Sequence, residues 1–181
     1  KYKREHFTSY PDKVFVTRLT ADKQGALNFT VRPEIPFVRP YLMNEGDGMG
    51  KSGELRVCEN KITLSGKMEY YGILFEGQIA VICEGGEVIP RENMLEVKNA
   101  DSAVIIMAAG TNYKFESRVI MERKHAEKLA PYPHPHEKVS AILENAMGYS
   151  YEELLLRHKE DYFELISRAC VDFGGVCPKI P

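Results

Sequence analysis

Carboxylates and aromatic rings stand close together at Glu69, Tyr70, Tyr71 and Glu76. These are the two ingredients of a sugar site, because rings stack on pyranose faces and a carboxyl pair does acid and base work. Successive side chains on a strand point to opposite faces, however, so Tyr70 and Tyr71 cannot both meet one ligand. Cross-strand packing in a core is the favoured role for the group. Thr111, Asn112 and Tyr113 close an apolar run and offer polar atoms to a ligand, although capping the strand end is the simpler use of those atoms. With 26 Asp and Glu in the chain, spacing singles out no catalytic pair.

His134 and His136 lie two apart in a proline-rich stretch. Two imidazoles suit a metal, but a site needs a third or fourth ligand, and nothing nearby is committed to that role. They are expected to be solvated linker histidines. His158 falls on the apolar face of a helix, where a hydrogen-bonded core histidine is the default. The segment Gly46-Asp-Gly-Met-Gly-Lys-Ser52 ends like a phosphate-cradling loop, but Glu45 occupies the position that needs the first glycine. No strand leads into it and no helix follows, so a flexible glycine loop is the better account. No serine or cysteine occupies a nucleophile motif. Asn28-Phe-Thr30 is a glycosylation sequon in form only, since it falls inside an expected strand. No catalytic residue, metal ligand or cofactor site is expected in this chain.

The totals narrow the class. There are 24 Lys and Arg against 26 Asp and Glu, a net charge of -2, and therefore no basic stripe for a phosphate backbone. Nucleic acid is not an expected partner, and neither is a membrane. Cys58, Cys83, Cys170 and Cys177 form no Cys-x-x-Cys pair and are expected to be reduced and structural. Lys1 is not an initiating Met, so an excised or processed piece is expected.

The elements that must position these residues read as mainly β. Asn99 to Tyr113 combines a turn, the apolar run Ala103 to Ala109 and a second turn, the pattern of a central strand buried on both faces and too short for a membrane helix. Lys13 to Thr20 and Ala26 to Val31 alternate about Asp22 to Gly25 and suggest a hairpin. Arg32 to Gly53, with Pro33, Pro36 and Pro40, is a long loop. Strands are expected at Glu54 to Cys58, Lys61 to Lys67, Tyr71 to Ile82, Glu87 to Pro90 and Met94 to Val97, an antiparallel sandwich pattern. After Pro131, Pro133 and Pro135 the period becomes helical. Val139, Ile142, Leu143 and Ala146 line one helix that Gly148 stops. A capping box at Ser150 to Glu153 opens a second, lined by Leu154, Leu155, His158, Tyr162, Leu165, Ile166 and Ala169. The expected division is a β-sandwich over 1–130 and a linker with a helical hairpin over 131–181.

The run Tyr2-Lys-Arg-Glu-His-Phe-Thr-Ser-Tyr-Pro-Asp-Lys-Val, continuing to Arg18-Leu-Thr-Ala-Asp22, resembles the glycoside hydrolase family 95 α-L-fucosidases. Glu84-Gly-Gly86, Ala100-Asp-Ser-Ala103, Ala108-Ala-Gly-Thr-Asn-Tyr113 and Tyr151-Glu-Glu-Leu-Leu-Leu-Arg-His158 with Asp161, Asp172 and Gly174 extend the likeness in the same order. The resemblance implies the second half of an N-terminal β-supersandwich followed by a helical linker. The (α/α)6 barrel that would carry inverting hydrolysis is not among these residues, so no family catalytic residue is carried over. The expected function is a non-catalytic sandwich and linker portion of a fucosidase-like enzyme. Its expected partner is the parent's catalytic barrel or another copy of the chain, with oligosaccharide met through the parent. The alternative is a stand-alone carbohydrate-binding or structural sandwich module.

Overall fold

A strand as apolar as Ala103 to Ala109, β-branched at Val104, Ile105 and Ile106, is stable only when covered on both faces. The computed structural model, which describes residues 1–34, 51–68, 71–124, 127–168 and 174, satisfies that demand with three layers. Among the described residues the strands are β1 (Tyr2–Ser9), β2 (Val14–Ala21), β3 (Leu27–Val31), β4 (Lys51–Cys58), β5 (Lys61–Met68), β6 (Ile73–Glu84), β7 (Glu87–Pro90), β8 (Leu95–Ala100) and β9 (Ser102–Thr111). The helices are α1 (Ser117–Met121), α2 (His136–Met147) and α3 (Tyr151–Ile166). A large antiparallel sheet runs β1-β2-β9-β6-β5-β4, and a small one runs β3-β8-β7.

Strand β9 sits in the middle of the large sheet, with Val16 opposite Ile106 on one side and Ala80 opposite Ile106 on the other. Its side chains alternate between two cores. Ala103 and Ile105 join Ile62, Val81, Leu95 and Val97 between the sheets, while Ile106 and Ala108 join Val14, Val16, Val139 and Leu143 beneath the helices. The fold is thus an antiparallel β-sandwich whose large sheet is also backed by helices.

The expected hairpin between Lys13 to Thr20 and Ala26 to Val31 does not form. Strand β2 pairs with β1 and β9, whereas β3 pairs with β8 in the other sheet. The turn between them carries the chain across the sandwich because Asp101 claims its backbone: the Gly25 N–H donates to Asp101 Oδ1 at 2.6 Å. The hairpin partner of β2 is the N-terminal run, which pairs from Tyr2 opposite Ala21 to Ser9 opposite Val14. Of the expected loop Arg32 to Gly53, residues 35–50 lie outside the described residues, and Lys51 to Gly53 belong to β4.

Asp101 holds a second crossing, from β8 into β9. Its N–H donates to the Glu84 carbonyl and its own carbonyl accepts from Ala21 N–H, so one residue ties three chain segments together. The turn Glu84-Gly-Gly86 must fold against it. Gly86 has φ +62°, and a Cβ there would stand 2.0 Å from the Lys98 carbonyl oxygen. Only glycine fits.

Two helices close the other face. Val139, Leu143 and Ala146 of α2 and Tyr151 and Leu154 of α3 are buried against Phe7, Val16, Ala80 and Ile106. Each fully buried leucine contributes about 2 kcal/mol. The capping box forms as expected: Ser150 Oγ accepts the Glu153 N–H and Glu153 accepts the Ser150 N–H. Polar clamps fix α3 on the β1–β2 hairpin. Arg157 Nε donates to the buried Asp12 carboxylate at 2.9 Å, which also accepts from Ser9 Oγ at 2.6 Å. Only the first half of α3 is covered, however. Tyr162, Leu165 and Ile166, expected on its buried face, are exposed with Phe163, because the sheet ends beneath them. Ala169 lies outside the described residues. His158, half-buried, stacks on Phe7 and lies tilted against Tyr162 instead of bonding in a core.

Two stability tests follow from these contacts. Gly86→Ala should cost several kcal/mol in urea unfolding, combining a disfavoured backbone with a clash. Gly77→Ala, whose added Cβ meets nothing within 4 Å, should change stability by less than about 1 kcal/mol. For the cap, Ser150→Ala should cost about 1 kcal/mol at neutral pH. The Ser150 backbone N–H, and then its hydroxyl, hold the Glu153 carboxyl below its usual range. A lowered folded pKa gives stability that is present above the unfolded carboxylate value and lost as pH falls through the folded one. The difference between wild type and Ser150→Ala should therefore narrow in acid.

Candidate functional site

Along β6 the side chains at Glu76, Gln78 and Ala80 share the helix-facing side of the sheet. Polar residues in a core phase must find partners. Glu76 is 3% exposed. Its Oε1 accepts from Gln78 Nε2 at 2.6 Å and bonds His136 Nδ1 at 2.9 Å, and Gln78 Nε2 also donates to Ser140 Oγ at 2.7 Å. The buried carboxylate is thereby tied to the first turn of α2. Opposite Glu76 on β9 stands Gly110, where a Cβ would lie 2.9 Å from Val139 Cγ2. The missing side chain lets α2 approach closely enough to set His136 on the carboxylate.

His134 and His136 are exposed, as the sequence suggests, but His136 opens α2 and both are hydrogen-bonded to the sheet. His134 Nε2 lies 3.1 Å from Ser65 Oγ, and its Nδ1 is 3.9 Å from Glu76 Oε2. They roof a cleft of about 360 Å³ whose floor carries Glu54, Arg56, Thr63 and Ser65. The floor is in register: Glu54, Ser65 and Glu76 form one row across β4, β5 and β6, and Arg56, Thr63 and Gln78 form the next. Glu54 accepts from Arg56 at 2.7 Å.

Ser65, His134 and Glu76 carry the three residue types of a nucleophile triad, but their hydrogen bonding is wrong for one. The His136 backbone N–H donates to His134 Nδ1 at 3.2 Å. That leaves the His134 proton on Nε2, which donates to Ser65 and so cannot accept its proton. Among the described residues no group of three or more His, Cys, Asp or Glu is arranged to hold a metal ion.

The sequence-predicted site residues lie elsewhere. Tyr70 falls outside the described residues, as does Glu69. Tyr71 is in a turn before β6, and with Tyr113 it lines an apolar cleft of about 320 Å³ completed by Ile73, Val119, Ile120 and Leu129. Asn112 is buried, its Oδ1 accepting the Leu74 N–H and its own N–H donating to the Leu74 carbonyl. Thr111 Oγ1 accepts the Tyr113 N–H. The structure thus brings Tyr71 and Tyr113 together and leaves Thr111 and Asn112 on backbone groups. Of the phosphate-loop segment, Lys51 and Ser52 begin strand β4. The signal that points to the Glu76 cleft is in the sequence: Glu and Gln occupy inward positions of the otherwise apolar run Ile73 to Cys83.

A family model described as glycosyl hydrolase family 65, N-terminal domain, matches residues 1–116. Alpha-L-fucosidase 2 of Arabidopsis thaliana is 27% identical over 188 residues, an alignment that covers 96% of this chain and 21% of that protein. The chain spans about a fifth of the length of that relative.

If Glu76 fastens α2 to the sheet, Glu76→Ala should lower stability by about 2–4 kcal/mol, because Gln78 and His136 lose a buried acceptor. Glu76→Gln keeps an acceptor oxygen and should cost less. Paired urea titrations check both, and equal losses would contradict the assigned bonds.

Proposed function

The chain belongs to the glycosyl hydrolase family 65 N-terminal domain family, and we propose that within it these residues form the non-catalytic sandwich and linker portion of an α-L-fucosidase-like hydrolase. The observation that carries this reading is the likeness to a fucosidase along 96% of the chain, across sandwich and helices alike. The family 95 assignment made on motif order belongs to the same proposal. Hydrolysis needs two free carboxyl groups flanking a sugar, with room for water when the outcome is inversion. In the polar cleft both acids already have partners, Glu76 with His136 and Gln78, and Glu54 with Arg56. This supports assigning the chemistry to the barrel of the parent.

The same reading gives the barrel a place to sit. The exposed half of α3, with Phe163 and Leu165 each more than half exposed, is the kind of surface that domain contacts bury. The catalytic barrel is its proposed partner, and the parent would remove terminal α-L-fucosyl groups with inversion.

Incubation with an α-1,2-fucosylated oligosaccharide tests the proposal. These 181 residues alone should release no fucose, and release would overturn the non-catalytic reading. The reading frame on either side, expressed with them, should release fucose whose first anomer by proton NMR is β. An α product would overturn inversion, and a frame that adds no helical barrel would favour the stand-alone module.

A further inference from the structure

We propose that the cleft between β4, β5, β6 and the start of α2 is a binding site for one neutral sugar unit. The proposal rests on the glycosidase reading above and adds a ligand site on this chain. Polar residues on an open sheet face are ordinary, but here one of them is buried: Glu76 is 3% exposed. His134 and His136 stand beside the exposed Glu54 and Arg56, so the strands and the helix start together form a half-open cleft of about 360 Å³. That is within the range of small-molecule sites.

The lining selects the ligand class. Acceptors and donors alternate across the floor: Glu54 beside Ser65 in one row, Arg56 beside Thr63 in the next. A sugar hydroxyl both donates and accepts, so neighbouring hydroxyls can use adjacent positions of such a grid. An anion would meet two carboxylates, and a cation would meet Arg56 and two imidazoles. An apolar ligand would strand the polar floor unsatisfied. His136 adds a directed contact. Its Nδ1 is held by Glu76 at 2.9 Å, which leaves Nε2, on the opposite edge of a ring that is 59% exposed, for a ligand. Among the described residues the lining holds no Phe, Tyr or Trp, so binding depends on hydrogen bonds and belongs in the millimolar range.

The test is NMR titration of the 181-residue chain, isotope-labelled at histidine and on the backbone, with L-fucose, D-galactose and D-glucose to about 50 mM. At least one sugar should give saturable shifts at the His136 ring and the Thr63 and Ser65 amides. Arg56→Ala and Thr63→Val alter the floor without touching the Glu76 bonds, so each variant should keep the wild-type spectrum elsewhere and bind about tenfold more weakly. No saturable shift with any sugar would overturn the site, as would wild-type affinity in both variants. Fucose release by the extended frame is scored separately. Hydrolysis without shifts here overturns this site alone, and shifts without hydrolysis by a frame carrying a barrel overturn the fucosidase reading alone.

Discussion

The organising constraint is that β9 is apolar on both faces and lies between two other buried strands. One face needs a second sheet, whose β8 leads into β9 through Asp101 alone, and the other needs helices that follow β9 in the chain. The chain therefore crosses from sheet to sheet before β9 and returns as α2 and α3 after it. Asp101 makes the crossing specific. By bonding Gly25 and Glu84 from a single position, it fixes where the small sheet begins to cover the large one, and Gly86 is the residue that lets the neighbouring turn come close enough.

The second cover creates the cleft. Helix α2 packs where Gly110 removes a side chain, and its first turn then lies over Glu76 instead of over an apolar residue. A buried carboxylate is costly unless its lone pairs are filled, so the sheet and the helix each supply a donor. A packing requirement and a polar site thus share one set of atoms. Ala80, two positions further along the face from Gln78, returns to the apolar core, which confines the polar group to one end of the sheet.

The strand content, the central place of β9, the capping box and the helical period after Pro135 were all legible, because each is a local pattern with a local cause. What failed was pairing. The alternation of Val14 to Thr20 and of Leu27 to Val31 is correct for strands, but alternation does not say which sheet a strand joins, and the deciding bond comes from Asp101, some 76 residues from Gly25. The partners of the histidines were missed for a similar reason. A proline-rich context suggests a solvated linker, whereas the partner of His136 lies 60 residues earlier on β6. The inward phase of Glu76 and Gln78 was the readable clue.

The way this chain meets a partner follows from where its apolar surface is left. A sandwich leaves unpaired backbone along its outer strands, but among the described residues three of the four, all but β3, are defended. Edge strand β1 carries Lys3, Arg4 and Glu5, β4 carries Glu54 and Arg56, and β7 is four residues long and ends in Pro90. Charge, shortness and proline each discourage pairing with another strand. The uncovered apolar groups lie instead on faces: Phe15 opposite Met107 beyond the small sheet, and Phe163 and Leu165 on the free half of α3. Faces bury side chains against side chains, so a partner that uses them adds a layer to the sandwich or caps the helix, and does not extend the sheet. A helical barrel docking on α3 is such a layer. On the proposed reading, the sandwich therefore supports its enzyme through side-chain packing, leaving the backbone of the three defended outer strands uninvolved.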